Sequence, residues 1–305
     1  MKNFTIITGA YGQDGLILSK ILKKKNFNII GLVKKLDKNR GLDGINYISL
    51  NLYKKKEIKK FIKTKKIKTI VHFACNNEPY INKSNLDYIN YYEKNYKITK
   101  NLIESIIETD KEIQFLFAGT CHMLKSNNKN IVNINSKYVK SNSNYIKYKI
   151  DSEKLLFKLK KKYSLNIISM ILFNHDSLLR SNNFLIKRII NYAKEGNINK
   201  LRMLYRLNIK GDFSHAEDIN YAIYLLIKNK NLNIDRIILS SNKLTKINNF
   251  IIKIIKKFNL KKTFKNVIVR QNNNYQIGNN KLAITKLKWK PKKNLNHIIN
   301  NIKYE

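Results

Sequence analysis

Acidic residues and cysteines are what this 305-residue chain is short of. It carries 20 Asp and Glu against 61 Lys and Arg, and two cysteines. Cys75 and Cys121 are too few for a disulfide framework or a cysteine-built zinc site. No grouping of His, Asp and Glu has metal-ligand spacing either, so no metal is expected. No apolar run approaches the ~18 residues that a membrane span requires. The opening "MKNFTIITGA" passes straight into a strand-like stretch and leaves no room for a signal peptide. The expectation is a soluble cytoplasmic protein with no membrane partner.

The shortage of acidic groups leaves a formal charge of +41, a balance that ordinarily points to nucleic acid or anionic membrane. The excess is mostly lysine spread along the whole chain beside many Asn and Ile, which drift in an A/T-rich genome explains. Runs such as "KKKEIKK" and "KLKKKY" fall at helix ends and on exposed helix faces, with no interleaved aromatic platform for bases. Nucleic acid is therefore not an expected partner, although the charge attracts anionic ligands such as nucleotide phosphates.

Strand-like and helix-like segments alternate through the first part of the chain. Apolar strand runs stand at 4–9, 27–35, 45–50, 68–74, 113–120 and 165–173, and helical patterns at 13–25, 54–66, 88–109 and 145–163. The strands lack a polar face, as in a parallel sheet covered on both sides. The fold class expected is α/β, a Rossmann-type doubly wound parallel sheet with a smaller C-terminal substrate-binding lobe. Residues 1–173 form the dinucleotide-binding domain, with sheet elements near 213–240 returning to it, and 174–305 form mainly the lobe. There, a loop over "NHDSLLRSNN" precedes helices near 184–196, 219–228 and 246–258, with strands at 235–239 and 266–269.

Between the first strand and the first helix lies "TGAYGQDG". Gly9 permits the tight turn, Gly12 lets backbone approach a pyrophosphate, and Gly15 allows close helix–strand packing; the helix N-terminus adds free amides and a positive dipole end. Tyr11, Gln13 and Asp14 complete the turn. A glycine-rich stretch alone is often only a turn, but its place after the first strand meets the context a dinucleotide site requires. An acidic residue usually follows the second strand of an NAD site. Here Lys34 and Lys35 stand there, which attract a 2′-phosphate and favour NADP over NAD, although lysine is common everywhere in this chain.

Tyr145 and Lys149 lie four residues apart on one helix face. The ammonium favours the phenolate, so the pair can move a proton to or from a hydroxyl during hydride transfer. Tyr-x-x-x-Lys arises easily by chance in a lysine-rich chain, and it is the position just after the fifth strand that gives this one weight.

The combination of "TGAYGQDG", "GTCH", Tyr145-x-x-x-Lys149 and "LFNHDS" resembles the extended short-chain dehydrogenase/reductase family of nucleotide-sugar enzymes, the NAD-dependent epimerases and dehydratases. The "GQDG" continuation and "ILFNHDS…R" look most like its GDP-mannose 4,6-dehydratase branch, and the likeness spans essentially the whole chain. The resemblance implies a cytoplasmic NADP-dependent lyase acting on a GDP-sugar, assembled as a homodimer or homotetramer. Tyr145 would take the proton of the sugar 4-hydroxyl as hydride leaves carbon 4, a base would then take the carbon-5 proton, and water would leave from carbon 6. By the same likeness Thr120 bonds the reacting oxygen, and Asn51 and Ala74 join the cofactor contacts. Asn174, Arg180, Lys187 and Arg270 face the substrate.

The chain departs from that branch at telling positions. The glutamate that serves as carbon-5 base is replaced by His122, with Cys121 before it. A neutral imidazole, with an ordinary pKa of about 6.5, can act as a base; His122 can equally be a polar loop residue of a degenerated site. Gly211 replaces an arginine, leaving Arg206 or Lys210 as phosphate contacts, and Leu124 and Lys125 replace a tyrosine and a glycine. His72, His215 and His297 are read as structural. The alternatives are a nucleotide-sugar 4-ketoreductase or epimerase, which needs Tyr145 and Lys149 but not the glutamate, and a cofactor-binding homologue without turnover.

Overall fold

The computed structural model describes residues 2–76, 85–260 and 267–302. The chain runs through β1 (Phe4–Thr8), α1 (Gln13–Lys24), β2 (Asn28–Val33), β3 (Asn46–Ser49), α2 (Lys55–Lys63), β4 (Ile67–His72), α3 (Asn85–Thr109) and β5 (Gln114–Thr120). A 3-10 turn (Cys121–Met123) and β6 (Ile131–Val132) lead to α4 (Asn144–Tyr163) and β7 (Ile167–Leu172). Then come β8 (Asn174–Asp176), α5 (Leu185–Lys194), α6 (Ile198–Arg206), β9 (Lys210–His215), α7 (Ala216–Lys228) and β10 (Arg236–Leu239). The last described elements are β11 (Leu244–Lys246), α8 (Ile247–Lys257), β12 (Ile277–Gly278), α9 (Lys281–Leu287) and α10 (Leu295–Asn300).

Seven strands pair in parallel in the order β10-β7-β5-β4-β1-β2-β3. This is a Rossmann-type α/β sheet, with its switch point between β1 and β4, where such folds open a crevice at the carboxyl ends of the strands. The apolar strand sequences follow from burial on both faces. Every residue of β5 is buried, and Ile7, Leu18, Val71 and Ile223 close one side while Ile6, Ile30, Leu102 and Phe117 close the other. The lysines sit where the sequence pattern put them. α2 buries Ile58 and Ile62, and Lys160, Lys161 and Lys162 end α4 next to the negative end of its dipole.

A smaller lobe gathers around Ile186, Ile189, Ile251, Ile254 and Ile298, contributed by α5, α8 and α10. Polar contacts tie further elements to the end of the sheet. Arg236 at the start of β10 pairs with the fully buried Glu153 of α4 at 2.5 Å, and the Tyr138 hydroxyl donates to the same oxygen at 2.6 Å. Asp212 accepts hydrogen bonds from the backbone N–H groups of Ser241, Asn242 and Gly278.

The structure differs from the sequence pattern chiefly in this half. Asn174–Asp176, expected as loop, is β8, paired in parallel with β9, which pairs in turn antiparallel with β11. Of the 213–240 stretch, β10 joins the central sheet, whereas β9 belongs to this separate three-stranded sheet. Neither α6 nor β9 is signalled by periodicity. The strand expected at 266–269 begins outside the described residues, and 267–269 have no strand pairing.

Gly15 fixes how closely α1 approaches the turn before it. A Cβ there would lie 2.6 Å from both the Ala10 Cα and the Gly9 carbonyl oxygen, backbone atoms that cannot swing aside. Gly15→Ala is expected to cost about 1–3 kcal/mol through overpacking, seen as a lower urea midpoint at unchanged slope. An unchanged midpoint would mean that the turn yields without cost.

Candidate active site

At the carboxyl edge of the sheet lies a cavity of about 2380 Å³. The glycine turn forms one wall. Gly9 takes a φ of +70°, and its missing Cβ leaves the Ala74 backbone 3.0 Å from that point. The Gly12 N–H closes the turn on the Gly9 carbonyl at 2.9 Å. Thr8 Oγ1 receives the Ala74 N–H and also meets His72 Nδ1, and the other nitrogen of His72 meets Thr99 Oγ1. Burial drives the His72 pKa down to about 3. It is a neutral core histidine that ties β1 to β4.

Gln13 and Asp14 line the cavity, yet their side-chain polar atoms are held by the segment after β7. Gln13 Nε2 donates to the His175 carbonyl and its Oε1 accepts from Ser177. Asp14 accepts from His175 Nε2 at 3.1 Å and from Asn220 Nδ2 at 2.8 Å. Despite the opposing effect of its burial, His175 and Arg180 hold the Asp14 pKa down at about 2.

Beyond β2, Lys34 and Lys35 are exposed at the cavity mouth with Lys38 and Arg40. Arg40 was not picked out by the sequence motifs. The Tyr11 hydroxyl bonds the Asp37 backbone, and Arg40 donates to the Tyr11 carbonyl at 3.2 Å with its guanidinium 5.3 Å from the Tyr11 ring. Asn51 lines the same end, its side-chain oxygen accepting the Tyr53 N–H.

The reactive groups stand where β5 and α4 meet. Ser143 caps α4, and Tyr145 in its first turn is half-buried and lines the cavity. Lys149, one turn on, is buried; its ammonium donates to the Ala118 carbonyl at 2.5 Å and lies 5.7 Å from the Tyr145 ring centroid. Phe117 and Tyr148 also face the ammonium, each at 4.9 Å, a cation–π setting that offsets part of its desolvation. Burial lowers the Lys149 pKa, whereas it raises that of the buried Tyr148 well above the ordinary phenol. Tyr148 is therefore a wall of the ammonium pocket, and Tyr145 is the phenol open to a ligand.

Thr120 ends β5 and lines the cavity, and its Oγ1 accepts the His122 N–H at 3.4 Å. The Cys121 thiol is buried and pushed up to about 12 by burial and the nearby Asp212, so it carries no proton traffic. The His122 ring is exposed on the cavity wall, and the protein around it lowers its pKa. It is neutral at neutral pH, with a lone pair to accept a proton.

At the lobe end, Asn174, Arg180, Arg188 and Lys210 line the cavity. Arg180 stacks 3.6 Å above the Phe184 ring with Asp176 3.6 Å away. Arg188 is steadied by the Tyr192 hydroxyl and Lys210 by the Asn273 side chain. Lys187 and Arg270 are not brought into this group. The Lys187 ammonium is bonded to the Leu178 carbonyl, and Arg270 is exposed with its backbone N–H on the Arg206 carbonyl. Of the two proposed substitutes for a cation at 211, Lys210 lines the cavity and Arg206 does not. Gly211 itself has ordinary space around a would-be Cβ, with the nearest atom 3.5 Å away. His215 caps α7 through the Glu217 N–H and meets His297 edge-on at 5.1 Å. Among the described residues no group of His, Cys, Asp and Glu is arranged to hold a metal, and no helix is long and apolar enough to cross a membrane.

Comparison with known proteins places these features in a wider frame. The family model described as NAD dependent epimerase/dehydratase matches residues 5–238. No curated sequence matches the chain. Among solved structures, a UDP-glucose 4-epimerase with UDP-glucose from Thermotoga maritima superposes with a TM-score of 0.80 at 14% identity, over 97% of this chain and 96% of that one. A dTDP-glucose 4,6-dehydratase in complex with NAD from Bacillus anthracis gives 0.78 at 18% identity, over 98% and 94%. A UDP-glucuronic acid 4-epimerase in complex with NAD from Bacillus cereus gives 0.77 at 16%, over 97% and 94%. At such identities the likeness shows the fold.

The electrostatic setting of His122 is directly measurable. Its ring should titrate below the ordinary histidine value of about 6.5, followed by NMR of the histidine ring protons. A midpoint at or above that value would contradict the lowering by the protein around it.

Proposed function

The chain belongs to the NAD dependent epimerase/dehydratase family, and from that premise we propose that it is an NADP-dependent nucleotide-sugar 4,6-dehydratase acting on GDP-mannose or a close GDP-sugar relative. One observation carries the reading: Thr120, His122, Tyr145 and Lys149 line the same cavity as the glycine turn. The dinucleotide fits the residues present, since Cβ atoms at Gly9 and Gly15 would press on backbone and one at Gly12 would enter the turn 3.2 Å from the Gly9 carbonyl. Gly9, Tyr11, Gly12 and Gly15 would hold the pyrophosphate, and Ala74 and Lys149 the nicotinamide half. Lys34, Lys35 and Arg40 favour a 2′-phosphate, with the exposed Asp37 as the acidic residue lining that end. Neighbours solved with NAD and with UDP-glucose support the nicotinamide and nucleotide-sugar classes. Arg188 and Lys210 would face the substrate diphosphate, and Asn174 the sugar.

When bound, NADP supplies the hydride acceptor and later the hydride donor. Tyr145 takes the 4-hydroxyl proton, its phenolate favoured by the Lys149 ammonium, while Thr120 donates a hydrogen bond to the same oxygen. The ketone at carbon 4 acidifies the carbon-5 proton, which the neutral His122 imidazole removes. The same imidazolium returns a proton to carbon 5 as carbon 6 is reduced. The proton leaving with the carbon-6 hydroxyl as water balances the one taken from the 4-hydroxyl.

A second reading, a 4-ketoreductase or epimerase, draws on a different observation. Among the described residues, the acidic ones lining the cavity are Asp14, Asp37 and Asp176. Asp14 is bonded to His175 and Asn220, Asp176 faces Arg180, and Asp37 lies at the dinucleotide end. Among the described residues no carboxylate thus stands ready as carbon-5 base, and there the dehydratase reading depends on His122.

Turnover of GDP-mannose with NADP⁺ by the wild type and two variants separates the readings. Tyr145→Phe should lower the formation of 4-keto-6-deoxy sugar by about 10²–10⁴-fold, and His122→Glu should raise it. Full activity of Tyr145→Phe would sink the mechanism. An unchanged rate in His122→Glu would remove His122 from the base position.

A further inference from the structure

The polar side chains that leave the glycine turn converge on one buried ion pair. His175 is buried, and its Nδ1 lies 2.6 Å from the Phe173 carbonyl while its Nε2 lies 3.1 Å from both oxygens of Asp14. A carbonyl only accepts, so Nδ1 carries a proton. A lone pair on Nε2 would then point at a carboxylate; a hydrogen bond there needs a second proton, and the ring is an imidazolium. Asp14 is further held by Asn220 of α7, and Arg180 approaches it at 4.0 Å. Gln13 runs in parallel, bonding both the His175 carbonyl and the Ser177 hydroxyl.

These contacts join the two ends of the cavity. Asp14 and Gln13 open α1, directly after the turn, whereas His175 sits between Asn174 and Asp176 in β8, just before Arg180. We propose that Asp14 and His175 are positioning residues, whose buried ion pair fixes the 174–180 segment against the glycine turn and so sets the sugar-nucleotide end by the dinucleotide end. Neither needs to touch a reacting atom. The binding arm of this inference rests on the dinucleotide reading above; the pair itself does not.

The charged groups around the imidazolium decide its pH behaviour. Asp14 faces it from α1, Asp176 and Arg180 from its own segment, and the neutral Asn220 from α7. His215 on β9, opposite Asp176 in register, is kept neutral by burial, with a pKa held down at about 4. Asp14 outweighs burial and Arg180, and the His175 pKa is raised. The pair is therefore complete below the ordinary histidine pKa and is lost as pH rises through the raised value, when the lone pair returns to face the carboxylate.

Three measurements on the full chain test this. Nitrogen-15 NMR of His175 in the wild type should show both ring nitrogens protonated at pH 7; a neutral ring overturns the pair. Amide hydrogen exchange across 173–181 should speed up about tenfold in Asp14→Asn and in His175→Gln. The double variant should be no faster than either single one, and the wild type should lose the same protection as pH rises. Additive effects, or protection indifferent to pH, overturn the positioning role, and the wild-type pH series decides if a variant does not fold. Saturating NADP⁺ should slow exchange at 173–181 in the wild type but not in Asp14→Asn. Binding without that slowing overturns the link between the two ends. A wild type that binds no dinucleotide overturns the proposed function instead, with the pair still judged by the NMR and the exchange in free protein.

Discussion

Everything at the catalytic edge depends on how closely one helix can start behind one strand. The Gly15 Cα sits against the Ala10 Cα and the Gly9 carbonyl, where no side chain fits. That contact aims the first amides of α1 at the crevice beside β1. It also delivers Gln13 and Asp14 to the segment after β7, more than 160 residues on. The turn that looks like a phosphate cradle is therefore followed at once by residues bonded to the far side of the cavity.

The chemistry of the pocket follows from what is buried and what is not. Lys149 is deprived of water and held by a carbonyl and three aromatic rings, so its charge acts on the neighbouring phenol with little screening. Tyr145 faces the cavity, while Tyr148 spends its ring on the ammonium. Among the described residues, the exposed base beside Thr120 is the His122 imidazole. Its lowered pKa leaves it unprotonated, which suits proton removal. On the proposed reading, the reaction turns on an imidazole where the branch this chain resembles has a carboxylate.

Much of the fold is legible in the residues, for a physical reason. Strands buried on both faces must be apolar throughout, and "TIIT", "TIVH" and "FLFAGT" could not be much else. The strands β8 and β9 escape because "NHD" and "KGDFSH" are polar; they pair at the edge of the site, where His175, Asp176 and Asp212 are kept for ion pairs and loop contacts. In the site, Tyr145 and Lys149 were read from spacing and strand position, and Thr120 and His122 only through the family resemblance; the four line one cavity. Arg188 was not legible, since nothing in "LIKRII" tells which of two adjacent cations faces the cavity once Ile186, Ile189 and Ile190 take the core. Arg40 was not either, because a loop returns it to Tyr11 through contacts that leave no local pattern.

The most direct test follows a hydrogen atom. GDP-mannose carrying deuterium at carbon 4 should yield a sugar lighter by one molecule of water, with the deuterium now on carbon 6. That outcome requires oxidation, elimination and return of the same hydride within one cavity. Recovery of unchanged GDP-mannose from protein that binds both NADP⁺ and the sugar nucleotide would contradict the dehydratase reading.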